Sequence, residues 1–556
     1  MGILFFGGIS IVALFWASPN GISWTLDSAR YLDGAEHILR GEGYGTRFQN
    51  FINPIPVRDF IREMQSPAGL RLNRDMNFPP MYPYWLAALR GIGLTQVQAV
   101  NWSVILFFGL NGILFGWVLK KVLNDSLPGV WVGVFCFLAS ESMLQIHTIA
   151  ASEPLFIFLE MAGFLGLAAF IERPRWGMLT VGSLALGAAF LTRYLGIAVI
   201  LTGILGLWIG APLDRRRRLR VCLYSAAISF LPMGIFLLQK LRETGQATSH
   251  HPTVDLANLR SIVLLIETIS SWIFPHVSRL NAYPFLRMIV VPLALIVLIG
   301  LAVITTRSVV RKFFKKQPGL PSEHGAELRL FFGLFIPLYL LILLPSVWFV
   351  DPETPFDIRL LSPIFVSFLV LAWCAFAEMM SSKPARGRTI WIRGGVSLYL
   401  LCWGLSGIVW VAAYQVRGRE YNNLEWRRNE IRQPMRDLLR EDERLPILTN
   451  DDGAIYFFTR RYSYWMNFSK WENRLDLLKE EIGESDVLLV FFKMPGRNRY
   501  DREIYGCSYN DVAPQLKTVL QPRILVDNEL ITVMRSERRL SLGAPREEGG
   551  ERRSGD

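Results

Sequence analysis

Residues 97–119 carry no charged side chain and end at Lys120-Lys121. A stretch of that length and character is what a helix needs to cross the hydrocarbon of a bilayer, about 20 residues at about 1.5 Å each. The arrangement recurs. Apolar runs lie near 3–19, 128–144, 154–171, 219–239, 288–306, 330–350, 360–380 and 394–414, parted by loops rich in Lys and Arg. Residues 176–210 are too long for one crossing and are interrupted at Thr192-Arg193-Tyr194, which splits them into two short spans. The pattern predicts a polytopic α-helical membrane protein with about eleven transmembrane helices. The net charge of +12 therefore does not point to nucleic acid. The short loops on one side hold nearly all the loop Lys and Arg, against Arg193 and Arg359 on the other. By the positive-inside rule the rich side is cytoplasmic. The N-terminus is then cytoplasmic. The loops carrying Asp27 and Glu153, the long loop with His250, His251 and His276, and the C-terminal domain face outward. The first run has neither a basic flank nor a small-residue cleavage site, so it reads as a retained span in the plasma (inner) membrane.

Directly after that first span comes 24–44, with Asp27 where the chain leaves the membrane. Tyr31, Ala35 and Ile38 follow at helical spacing on the Asp27 face. Asp33 with His37, and Glu36 with Arg40, are four apart and read as solvated pairs. Gly41 is placed to end the helix. Asp27 has two competing uses. Asp is a favoured helix N-cap. A carboxylate at the outer surface also suits a general base for an extracytoplasmic acceptor.

Three further positions share that outer boundary. Arg193 and Arg359 each adjoin an apolar run, and arginine grips phosphate through a planar fork of donors. Snorkelling of a long basic side chain is the structural alternative. Glu153 opens the 154–171 span, where a carboxylate complements a helix N-terminus and can also hold a divalent cation. Asn77-Phe78-Pro79-Pro80-Met81-Tyr82-Pro83 closes the first outer loop; its prolines set an extended entry to the next span, and Tyr82 can offer a hydroxyl to phosphate. No Cys/His group has metal-ligand spacing, no P-loop or nucleophile elbow occurs, and four of the five cysteines fall in apolar spans.

After residue 415 the composition changes. Residues 420–440 alternate charged and apolar side chains as an amphipathic helix. Strands are predicted at 446–449 and 486–492, a helix at 454–459, and a hairpin over 523–526 and 530–534. This predicts a membrane domain, 1–415, containing a first extracytoplasmic loop at 20–93 with an interfacial helix. A small extracytoplasmic α/β domain follows at 420–540, where Asn450, Asp451 and Tyr456 are the first contacts to test. Residues 541–556, rich in Gly, Arg, Glu and Ser, read as a disordered tail.

Taken in order, these motifs resemble the GT-C superfamily of integral-membrane glycosyltransferases. They are most similar to the branch with protein O-mannosyltransferases and lipid A aminoarabinose transferases. The features are Asp27 after the first span, Tyr31 with Gly41-Glu42-Gly43-Tyr44, Pro79 to Pro83, Ser152 to Phe156, Arg193 within Leu191 to Gly196, and Arg359 to Pro363. The resemblance covers residues 1–380. It departs at Ser28, where the protein O-mannosyltransferases carry Glu. It implies a polyprenyl-phosphate-linked sugar as donor, an extracytoplasmic glycan, lipid or protein as acceptor, and an inverting displacement. Asp27 would be the base, Arg193 and Arg359 would hold the phosphate, and Tyr31, Tyr82 and Glu153 would line the substrate. No cofactor is certain; a divalent cation, Mg or Mn, at Glu153 is the one it admits. A transporter or flippase of lipid-linked sugars is the alternative, and would want charged or broken helices near mid-membrane.

Overall fold

The computed structural model describes residues 2–49, 54–74, 78–123, 126–245, 259–274, 325–349 and 356–381. It also describes scattered positions within 285–300 and 395–413, and 418–536 apart from 419, 472–473, 496, 498–500 and 503–506. The three loop histidines, Asn77, most of the 288–306 run, part of the 394–414 run and the 541–556 tail lie outside the described residues. The chain divides into two compact units: residues 1–46 with 73–424, and residues 47–72 with 425–556.

The first unit is helical. α1 is Gly2–Ala17 and α2 is Leu26–Leu39; α3, Val57–Gln65, belongs to the other unit. Then come α4 (Met81–Gly91), α5 (Gln96–Val122), α6 (Leu127–Ala139), α7 (Glu141–His147), α8 (Glu153–Glu172) and α9 (Trp176–Thr192). α10 (Ile197–Gly210), α11 (Arg215–Thr244), α12 (Leu259–Ser271), α13 (Ala326–Phe349) and α14 (Ile358–Ser381) follow among the described residues. Among the described residues five helices are long and apolar enough to cross a membrane, or six if α6 and α7, bent by 57°, count as one span. Leu223, Leu231, Ile235 and Leu238 of α11 are each more than half exposed. An apolar stripe of that kind belongs against lipid rather than water. α8 and α9 pack backbone to backbone: a Cβ on Gly166 would lie 2.8 Å from the Cα of Gly182.

Two local features set where the charged residues of this unit stand. The chain breaks between α9 and α10, as the interrupted apolar run predicts. Arg193 is extended (φ −149°, ψ 138°) and Tyr194–Gly196 forms one 3-10 turn. Gly196 is required there, because a Cβ would come within 2.5 Å of the Phe190 Cα. At α2 the N-cap is Thr25, in a capping box with Ser28, so Asp27 stands free of the capping role. Gly41 follows the last turn at φ +74°, the left-handed conformation glycine favours. Asp33 and His37 are fully buried, which corrects their reading as a solvated pair. Thr46 Oγ1 donates to Asp33 at 2.7 Å, and His37 lies 3.3 Å from Asp33 and 2.6 Å from Glu42. Folding of 44–46 against α2 covers the face that spacing alone would leave to solvent. Arg40 lies toward solvent, whereas Glu36 is largely covered and also accepts from Arg90 Nη2 at 3.1 Å.

The second unit carries a five-stranded sheet, with β1 at Ile447–Thr449, β2 at Tyr464–Trp465, β3 at Val487–Phe492, β4 at Arg523–Asp527 and β5 at Ile531–Ser536. Their order is β2-β1-β3-β5-β4. β2, β1 and β3 run parallel, and the β5–β4 hairpin is antiparallel. β3 is buried throughout, as its unbroken apolar run requires. α3 contributes Val57, Phe60, Ile61 and Met64 to the same core. Residues 47–72, within the long loop after the first apolar run, therefore belong to this unit. Asn450 donates to and accepts from the Phe492 backbone, and Asp451 caps the helix Asp452–Thr459. Both side chains have structural work, and Tyr456 is buried.

Candidate active site

The first unit gathers four charged side chains from four distant segments. Asp27 comes from the first turn of α2 and Glu153 from the first residue of α8. Arg193 comes from the break between α9 and α10, and Arg359 from the start of α14. Arg359 Nη2 donates to Asp27 Oδ2 at 2.9 Å, and its Nε donates to Glu153 Oε1 at 3.0 Å. Arg193 Nη1 lies 2.6 Å from the same Glu153 oxygen. Glu153 is fully buried, while the Asp27 and Arg359 side chains keep about a quarter of their surface exposed (28% and 27%). The buried carboxylate thus anchors two guanidiniums, and Asp27 and Arg359 form the open face of the cluster. Glu153 Oε2 has no hydrogen-bond partner among the described residues.

Local structure explains the placement. Ser28 Oγ donates to Ala150 O at 2.6 Å. Ser23 pairs with Ile149 as parallel strands do, with Ser23 N donating to Thr148 O and Ala150 N to Ser23 O. These bonds tie the start of α2 to the segment leading into α8, and so hold Asp27 near Glu153. Asn111 Nδ2 on α5 donates to Pro154 O at 2.9 Å and lies 3.1 Å from His147 Nε2. Tyr339 donates to Leu360 O at 2.6 Å, bracing the first turn of α14.

Tyr31 and Tyr82 stand beside the cluster rather than in its ion pairs. The Tyr31 hydroxyl is 3.4 Å from Ser152 Oγ, and Arg193 Nη1 reaches the same oxygen at 3.5 Å. The Tyr82 ring meets the Tyr31 ring edge-on at 5.1 Å. Burial pushes the Tyr31 hydroxyl well above its ordinary pKa, and the Asp27 and Glu153 charges add to this, so it is a neutral donor. Sequence reasoning missed three polar groups. Asp357 caps α14 through Leu360 N; burial raises its pKa against the pull of Arg359. Ser152 stands between Tyr31 and Arg193, and its place just before Glu153 gave it no role of its own. Glu160, seven residues after Glu153 on α8, is fully buried, with Ser367 Oγ at 3.3 Å. It was hidden in an otherwise apolar run.

Among the described residues the cluster does not fit a divalent cation. Hard cations of that kind need several oxygen donors. Here Glu153 Oε1 and Asp27 Oδ2 already face guanidiniums, whose charge opposes a second cation at the same oxygens. Among the described residues no group of three or more His, Cys, Asp and Glu can hold an ion.

No protein family matches the sequence, and no curated protein does. Solved structures do match. The chain is similar to the oligosaccharyltransferase of Archaeoglobus fulgidus, a structure tethered to an acceptor peptide containing the NVT sequon. The TM-score is 0.50 at 12% identity, over 92% of this chain and 72% of that one. It is also similar to ArnT of Cupriavidus metallidurans, with TM-score 0.46, 12% identity, and coverage of 96% and 97%. With ArnT bound to undecaprenyl phosphate the values are 0.44, 13%, 98% and 99%. At that identity the likeness is one of fold: the chain shares the fold of the Archaeoglobus fulgidus oligosaccharyltransferase, a member of the superfamily that the order of the sequence motifs resembles.

Proposed function

We propose that this protein is a membrane glycosyltransferase that moves a sugar from a polyprenyl-phosphate carrier to an extracytoplasmic glycan, lipid or protein. The observation that supports this best is the cluster itself. An accessible carboxylate, Asp27, shares Arg359 with a buried carboxylate that also holds Arg193. In this reading the chain crosses the plasma membrane about eleven times, with the N-terminus cytoplasmic and the C-terminal unit outside. Asp27 takes the proton of an acceptor hydroxyl while that oxygen attacks the anomeric carbon. The carbon–oxygen bond to phosphate breaks with its electron pair, and configuration inverts. Phosphate is a good leaving group, so one base and fixed positive charge suffice. Arg193 and Arg359 meet the phosphate, Glu153 fixes both, and Tyr31, backed by Tyr82, donates a hydrogen bond to the donor.

The test is transfer of label from a panel of radiolabelled polyprenyl-phosphate sugars by membranes holding wild-type or Asp27→Asn protein. Transfer by the wild type that stalls in the variant at equal protein level is the expected result. Equal transfer by both would remove Asp27 from the chemistry. A flippase of lipid-linked sugars is the second reading, favoured by one observation: the buried mid-helix carboxyl of Glu160. It predicts flipping that fails in Glu160→Gln and no loss of label from the carrier.

A further inference from the structure

The proposed reaction changes the charge of two groups at once. As a phosphodiester becomes a departing phosphomonoester it gains up to one negative charge. As Asp27 receives the acceptor proton it loses one. Resting on the transferase reading, we propose that Arg359 is the residue through which these two changes are exchanged. It is released by the base as the base is neutralised, and taken up by the phosphate as its charge grows. The arginine pair therefore does the work a divalent cation would do, and transfer needs no such cation.

The geometry supports each part. Arg359 spends its Nε on Glu153 at 3.0 Å and its Nη2 on Asp27 at 2.9 Å. The two contacts differ in kind. The one to Glu153 is buried, and that carboxylate is shared with Arg193, so it persists through the reaction. The one to Asp27 lies at the open face and depends on the aspartate charge; once the proton arrives, a charge-assisted bond becomes a weaker neutral one. The guanidinium stays pinned at Glu153 and can turn its freed donor to a new acceptor without leaving the site. With Asp27 and Glu153 ionised, the two carboxylates and two arginines of the ion-pair cluster sum to zero, and Asp357, which also acts on Arg359, contributes equally before and after the step. The proton transfer leaves them with one positive charge at the moment the phosphate needs it. In the balanced step the hydroxyl proton goes to Asp27, its oxygen bonds to the anomeric carbon, and the carbon–phosphate oxygen bond breaks with its pair to phosphate.

Asp27→Asn mimics the neutralised base, which makes the idea testable by binding. Purified full-length protein in nanodiscs is titrated with farnesyl monophosphate, in EDTA and then with Mg²⁺ or Mn²⁺. Wild type, Asp27→Asn, Arg359→Gln and the double variant are compared, each taken as a monodisperse peak. Asp27→Ser stands in if the asparagine variant does not fold. The expectation is roughly tenfold tighter binding by Asp27→Asn, about the strength of one charge-assisted hydrogen bond to the phosphate. That tightening is absent in the double variant, and the metals have no effect. Unchanged or weaker binding by both Asp27 variants would overturn the exchange. So would an equal tightening in the Arg359→Gln background. Binding or transfer lost in EDTA and restored by metal would overturn the cation claim while leaving the transferase reading in place. Binding by none of the four proteins would refute the lipid-phosphate reading itself.

Discussion

Neutralising Glu153 should cost more than neutralising it together with one of its partners. Glu153 is fully buried, and its Oε1 meets Arg193 at 2.6 Å and Arg359 at 3.0 Å. With charge centres about 4 Å apart and an effective dielectric near 20, each arginine gains about 4 kcal/mol from the carboxylate. Desolvation of the three ions consumes much of this, so Glu153→Gln should destabilise the helical unit by about 3 kcal/mol. That is the range found when one member of a buried pair is removed. Glu153→Gln combined with Arg193→Gln leaves no unpaired guanidinium at Arg193, while Arg359 keeps Asp27. It should recover at least half of the loss. The assay is equilibrium unfolding in mixed micelles, with all variants in the same lipid and detergent. A double variant as unstable as the sum of its single variants would show that the two side chains act independently. A single variant within about 0.5 kcal/mol of wild type would show that Glu153 is not the electrostatic anchor.

Ser28→Ala removes the bond to Ala150 O and half of the capping box, and should cost about 1–2 kcal/mol in the same unfolding assay while lowering transfer through misplacement of Asp27. Gly196→Ala forces a Cβ against the Phe190 backbone, so it should destabilise by about 1–3 kcal/mol and lower transfer by moving Arg193, read by the same two assays. In the second unit, burial pushes the Asp501 carboxyl up to about 6, with Arg497 opposing the shift. A folded pKa above the unfolded one means its contribution is full below about pH 4 and is lost as pH rises through 6. Labelling of a single-cysteine chain at buried Cys507, with its rate divided at each pH by that of a free thiol, should therefore be faster at pH 7.5 than at pH 5, and Asp501→Asn should flatten that difference.

Much of the helical unit was legible because a bilayer crossing imposes a length. The runs read at 97–119 and 154–171 are the helices Gln96–Val122 and Glu153–Glu172, and the break at Arg193 appears where the apolar run was too long. The charged cluster was legible as candidates and not as a geometry. Nothing in the spacing of residues 27, 153, 193 and 359 says that one arginine bridges both carboxylates. What stayed hidden was long-range packing. Asp33 and His37 read as solvated because helical spacing cannot show that Thr46 folds over them. The packing of Val57, Phe60 and Ile61 with strands some 400 residues later has no local signal. β2, two residues long, is too short for periodicity to detect.

Ser28 is the point where the departure from the mannosyltransferase pattern acquires a physical meaning. A glutamate there would put a second carboxylate beside Asp27, and the site would carry a net negative charge for a bound cation or a shared proton to offset. Serine instead spends its hydroxyl on the backbone of Ala150, three residues before Glu153. The position is converted from charge to tether. The neutrality of the remaining four groups then follows from the arginines alone, and the separation of Asp27 from Glu153 is held by backbone bonds rather than by a shared ion. A Ser28→Glu substitution reverses that conversion. It should slow transfer in EDTA and make the residual rate respond to added Mg²⁺, whereas an equal loss with and without the metal would mean that position 28 acts through packing only.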